Sequence, residues 1–101
     1  MARRLNPIHP GEFLREEFME PLGLNPHKLA MELRAPAPGV CEIVRGERGI
    51  STEMALRLAR FFGTTAESWL HLQARYNLEV ARDKQQDKIN REVHPVAAAS
   101  A

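Results

Sequence analysis

Side chains able to do covalent or metal chemistry are sparse in this chain. Its four histidines, His9, His27, His71 and His94, are scattered, and Cys41 is the only cysteine. No two of the histidines have the spacing that sets two metal ligands on one helix. Cys41 with His27 would make a thiol nucleophile and its base, and a thiol at a helix N-terminus can have a lowered pKa. An incidental small thiol is the plainer reading. No catalysis, metal or cofactor is expected. The richer chemistry is cationic. Residues 25–60 carry Lys28, Arg34, Arg45, Arg48, Arg57 and Arg60 against Glu32, Glu42, Glu47 and Glu53. Cations placed against phosphates supply the affinity of nucleic-acid binders. The whole chain has a net charge of only +1, so the placement of those cations must matter more than their number.

The chain has 101 residues, of which 44% are hydrophobic and 27% charged. That is ordinary for one soluble domain. No apolar run approaches the roughly eighteen residues of a membrane span. Two arginines near the start, Arg3 and Arg4, have no apolar region behind them of the kind a secretory signal needs. One cysteine permits no intrachain disulfide. A cytoplasmic protein is expected.

Five helices are expected to position the cations. The first follows Pro10, turns Phe13, Leu14, Phe18 and Met19 inward, and should stop at Pro21 and Gly23. The second opens on Asn25 and Pro26, with Leu29, Ala30 and Leu33 as its inward stripe. The third is announced by Pro36, Pro38 and Gly39. Proline is tolerated in a first helical turn, and the residue before it avoids the α region. Ala37 should therefore be the cap and Pro38 the first residue of a helix reaching about Arg45. The fourth is capped by Ser51 and closed by Gly63, with Met54, Leu58 and Phe61 on one face and Phe62 beside them. The fifth starts after Thr64 or Thr65 and carries Trp69, Leu72, Tyr76 and Val80 on one stripe. Met31, Met54, Phe61 and Phe62 read as core. Residues 83–92 could continue the last helix or fray, and a short strand at Ile89–Val93 is the other reading. Residues 83–101 are expected to be a polar tail, partly disordered.

A short helix, a tight turn and a second short helix inside a helical frame is the layout of helix-turn-helix DNA binders. Four segments sharpen that: Ile8-His9-Pro10-Gly11-Glu12, Arg48-Gly49-Ile50-Ser51, Ala55-Leu56-Arg57-Leu58-Ala59 and Trp69-Leu70-His71-Leu72-Gln73. Together, over about Ile8 to Ala81, they resemble the HigA family of toxin–antitoxin antidote proteins, a branch of the lambda-repressor-like helix-turn-helix proteins. The resemblance implies an all-α, five-helix helix-turn-helix domain over residues 1–82 with a C-terminal helical extension and flexible tail. It also implies a homodimer that binds palindromic double-stranded operator DNA and represses its own operon. The expected partner is a HigB-type ribonuclease toxin of the RelE-like class, which the antidote neutralises without being an enzyme.

The DNA-facing residues expected from this layout are His27, Lys28, Arg34, Ala37, Pro38, Gly39, Cys41, Arg45 and Arg48. Family members place polar residues near the start of the third helix. Here Pro36, Ala37, Pro38, Gly39 and Cys41 offer no strong hydrogen bond to a base edge. Ala37 could touch a thymine methyl, and the Gly39 and Val40 N–H groups a phosphate. Readout would rest on Arg45, Arg34 and DNA shape, with His27, Lys28 and Arg48 on the backbone. Glu42 is expected to orient an arginine or stay solvated. Trp69, Leu72 and Tyr76 are candidates for a dimer interface. Two alternatives stand beside this reading: a toxin-binding module whose DNA binding has weakened, and a stand-alone repressor.

Overall fold

His9 opens the first helix. Its Nδ1 accepts the Gly11 N–H at 2.8 Å, and Pro10 takes the first helical position. The computed structural model describes residues 7–97. Helix α1 passes without a break through Pro10–Leu14, a π-helical turn at Arg15–Met19, and Glu20–Leu22. The wider turn directly precedes Pro21, which has no N–H to donate and whose ring presses on the carbonyl four residues back. Pro21 therefore shifts the register and does not end the helix; of the two residues expected to stop it, Gly23 alone does so, in the left-handed conformation at φ 67°.

Helix α2 is Pro26–Leu33, and the Asn25 side chain accepts the Lys28 N–H at 2.8 Å. Helix α3 is Ala37–Val44. It starts one residue earlier than expected: Pro36 is the cap, at φ −62° and ψ 133°, and its carbonyl accepts the Val40 N–H at 3.3 Å. Ala37 is thus helical although it precedes Pro38, and the Val40 N–H expected for a phosphate is already used. Helix α4 is Thr52–Phe62, capped by Ser51 onto the Met54 N–H at 3.1 Å. Helix α5 is Ala66–Glu92, capped by Thr65.

The core gathers Leu14, Met19, Leu29, Leu33, Val40, Ile43, Ile50, Leu58 and Trp69, with Ala30 and Ala55 where helices approach closely. Trp69 is its largest side chain and is 1% exposed. Phe18 tilts onto it at 5.2 Å between ring centres and Phe13 meets it edge-on at 6.1 Å. The indole N–H donates to Thr64 Oγ1 at 2.7 Å, so the buried polar atom is satisfied. Two expected core residues lie outside: Met31 is 74% exposed and Phe61 37%. Phe61 sits at the edge of its helix's apolar stripe, whereas Met31 falls on the side of α2 turned away from Leu29, Ala30 and Leu33.

Helix α5 is 27 residues long and stays helical to Glu92. The helical alternative for residues 83–92 is the one realised, and Ile89–Val93 forms no strand. Every described residue from Arg82 onward is exposed. The molecule is accordingly 53 Å in its longest dimension and 25–26 Å across. Side-chain pairs four residues apart, Arg75–Glu79 and Gln86–Asn90, support this polar arm. Residues 98–101 of the expected tail lie outside the described residues. No helix among the described residues is long and apolar enough to cross a membrane.

Gly11 sets the distance between α1 and α3. A Cβ there would overlap the Ile43 carbonyl oxygen, which belongs to backbone and cannot swing aside. Gly11→Ala should destabilise the fold by about 3 kcal/mol or more, by forcing two helices apart. Urea denaturation of the variant beside the wild type checks this.

Candidate nucleic-acid interface

Helices α2 and α3 meet at a three-residue turn that is fixed from three sides. Arg34 ends α2 in the left-handed region at φ 55°, which is unusual for a residue other than glycine. Its own N–H donates to the Met31 carbonyl at 3.2 Å, and the Ala35 N–H donates to the Ala30 carbonyl at 3.0 Å. Arg57 of α4 then clamps the turn. Its Nη1 donates to the Leu33 carbonyl at 2.8 Å and the Arg34 carbonyl at 3.3 Å. Its Nε and Nη2 are held by Glu53 Oε2 at 3.1 and 2.8 Å. Pro36 follows with its φ restricted by the ring. The angle between α2 and α3 is therefore set by backbone contacts.

Helix α3 buries Val40 and Ile43 and half-buries Val44. Pro38, Cys41 and Arg45 recur at helical spacing on the opposite side. Pro38 and Arg45 are exposed, while Cys41 is half-buried. Ala37 is half-buried against the core, which leaves little of its methyl for a base. Around Gly39 there is open space: a Cβ would meet nothing within 4 Å. No side chain caps α3.

The cations sit on the rim of this helix. Arg45 Nη2 pairs with Glu47 Oε1 at 3.2 Å, and that hydrogen bond raises the guanidinium pKa further. Arg48 Nε pairs with Glu42 Oε1 at 2.7 Å, so Glu42 orients an arginine. All four side chains are solvent-exposed, and pairs of that kind contribute little net energy. They hold the arginines beside the helix without locking them there. His27 and Lys28 are exposed in the first turn of α2. Arg34 is exposed at its end.

Three residues that shape the site were not picked out as contributors in the sequence. Arg57 clamps the turn. Gln73 of α5 accepts the Ile50 N–H at 2.7 Å, across 23 residues. His9 caps α1, meets the Tyr76 ring edge-on at 4.8 Å, and lies beside Gly46. The only sequence signal for the last two was their place inside the segments that carried the resemblance.

The fold is shared with known proteins. The chain is 45% identical to the Pseudomonas aeruginosa antitoxin HigA, in a structure with the higBA promoter. The match covers 90% of this chain and 99% of that one, at a TM-score of 0.88. The chain belongs to the HigA family of helix-turn-helix antitoxins. Antitoxin HigA-1 of Vibrio cholerae is 32% identical over 83 residues, 81% of this chain and 77% of that protein. Virulence-associated protein I of Dichelobacter nodosus is 52% identical over 79 residues, 77% and 73% of the respective lengths. No protein-family model matches the chain.

Within this HigA-family frame the candidate dimer residues separate. Trp69, at 1% exposure, is core and has no surface to offer a partner. An aromatic stripe at helical spacing does not say which end of the stripe is covered by its own chain. Leu72 and Tyr76 are half-buried and line a shallow hollow with Ile8, Pro10 and Phe13.

Two stability effects follow. Arg34→Gly should stabilise the fold by up to about 1 kcal/mol, because glycine adopts the left-handed cap without the Cβ penalty; chemical denaturation reads this. Burial pushes the His9 imidazole below its ordinary value of 6.5, outweighing the opposite effect of Glu12. The unfolded chain then takes up a proton at His9 before the folded chain does. This contribution is whole above pH 6.5 and declines as the pH falls below it. Urea midpoints measured down to roughly pH 5 should drop less steeply for His9→Asn, which keeps a cap but has no imidazole.

Proposed function

We propose that this chain is the antitoxin of a toxin–antitoxin pair, binding palindromic operator DNA as a homodimer and repressing its own operon. The observation that carries this reading is the outward side of α3: Pro38 and Arg45 are exposed there with Cys41 half-buried between them, beside arginines held in weak pairs. In the Pseudomonas aeruginosa relative the same architecture was solved with promoter DNA. In this chain α3 enters the major groove. Arg45 supplies the one long donor on its outward side, and the Gly39 N–H stands where a phosphate can approach. Arg48, Lys28, His27 and Arg34 meet the backbone and set the register. Shape supplies the rest of the selectivity, because Pro38 and Cys41 cannot hydrogen-bond a base edge strongly.

A palindrome requires two copies, and Leu72 with Tyr76 on the α1–α5 face is the surface proposed to join them. The toxin is proposed to be a RelE-like ribonuclease, which the antitoxin neutralises by binding. The bland surface of Pro38, Gly39 and Cys41 favours one second reading, a toxin-binding module whose operator recognition has decayed.

Binding to the chain's own promoter and to a scrambled duplex, across a salt series, separates the two. Operator binding should be about a thousandfold tighter than binding to the scrambled duplex. Arg45→Ala should weaken operator binding and narrow its preference over the scrambled duplex, whereas Arg48→Ala should weaken binding to both and flatten the plot of log affinity against log salt by about 1. Equal, weak binding to both duplexes would leave only the toxin-binding reading.

A further inference from the structure

The loop that leaves α3, residues 46–50, is tied to the helix at its start, where the Gly46 N–H donates to the Ile43 carbonyl at 3.0 Å and the Glu47 N–H to the Glu42 carbonyl at 2.8 Å. It carries Glu47 and Arg48, whose ion pairs reach back to Arg45 and Glu42. Its far end is gripped from α5. The Ile50 N–H donates to Gln73 Oε1 at 2.7 Å, and Gln73 Nε2 donates in turn to Asn77 Oδ1 at 3.0 Å. A second, independent feature marks the same contact. The amide carbon, nitrogen and oxygen of Gln73 each lie 3.1 Å from where a Cβ on residue 49 would stand. Gly49 thus lets the Gln73 amide lie flat against the loop backbone. Ile50 meanwhile buries its side chain in the core, so the loop is tied at its end by both its amide and its side chain.

We propose that Gln73 is a positioning residue for DNA binding. From α5 it fixes the 46–50 loop, and through the loop it fixes Arg48 beside the recognition helix. The chemistry requires an acceptor of this length and geometry. Oε1 satisfies a backbone N–H that Ile50 carries into a partly buried place, and Nε2 is spent on Asn77, which stops the amide from turning over. The loop's cation is then ordered before a phosphate arrives, and ordering it does not detract from binding. This role rests on the DNA-binding reading above.

The test uses the full chain and three variants. Gln73→Met keeps the bulk and removes the acceptor; Gln73→Glu keeps an acceptor. Two quantities are read: hydrogen exchange at the Ile50 amide, and operator affinity across a salt series. Gln73→Met should speed Ile50 exchange and lower operator affinity by roughly fivefold to tenfold, with a flatter salt dependence. Gln73→Glu should restore slow exchange at Ile50 and the wild-type salt slope. If Gln73→Met fails to fold, Gly49→Ala displaces the same amide from the loop side and should show the same two changes. Wild-type affinity and slope in Gln73→Met, with a wild type that does prefer its operator, would reduce Gln73 to a purely structural role and overturn the proposal. A loss of affinity with no change of slope would overturn it equally. A wild type with no operator preference would instead remove the DNA-binding reading, and this role with it.

Discussion

Two backbones touch where α1 crosses the end of α3, and the rest of the DNA-facing side depends on that contact. Gly11 has no side chain because the Ile43 carbonyl occupies the place one would take. At that distance there is no side chain to repack, so the spacing of the two helices admits almost no adjustment. The cap next to it is equally specific. His9 must be neutral at Nδ1 to accept the Gly11 N–H, and its ring also lies against Tyr76 and Gly46. One residue pair thus joins the start of α1, the exit of α3 and the middle of α5.

A rigid frame matters more here than in a protein whose recognition helix is rich in polar side chains. Pro38, Gly39 and Cys41 have little to say to a base edge. On the proposed reading, affinity comes from cations and main-chain amides held at the right distance from two phosphate rows, and distance is a property of the frame. The turn between α2 and α3 shows how much is invested in it. A non-glycine residue is kept in the left-handed region, and Arg57 spends its guanidinium on two carbonyls and Glu53. By contrast Arg45 and Arg48 are held by exposed pairs that exchange easily. The frame is stiff and the ion pairs beside α3 are soft, a division that suits the proposed role, in which the arginines exchange carboxylates for phosphates.

Much of this was legible from residue types alone, where a local rule decides. Asn25 and Ser51 cap, Thr64 or Thr65 was due to cap the last helix and Thr65 does, Pro10 and Pro26 start helices, and Leu29, Ala30 and Leu33 face inward, all from short-range stereochemistry. Glu42 had two open readings, an arginine partner or solvent, and the loop that returns Arg48 to it decides for the pair. What was not legible depends on distant chain. Phe61 lies at a stripe edge, and only the packed neighbour decides whether that edge is covered. Trp69 satisfied an interface pattern and a core pattern equally, until Phe13, Phe18 and Thr64 were found around it. Gly11 and Gln73 act on residues far along the chain, so their roles have no local signature. The run from Asp83 to Glu92 lacks any apolar period, and its helicity comes from pairs four residues apart and from continuity with the packed half.

That continuity has a mechanical consequence. Ala66–Glu92 contains neither glycine nor proline, so α5 is one rod without a hinge. Trp69, Gln73 and Tyr76 fall on one face of it at helical spacing. The first is locked in the core, the second holds the loop beside the recognition helix, and the third meets the cap of α1. The outer half carries no such contacts, yet it cannot turn independently of the inner half. The direction of the exposed arm and the direction of α3 are therefore set by the same body. Whatever grips the arm or the face around Leu72 and Tyr76 also fixes the angle at which the recognition helix is presented.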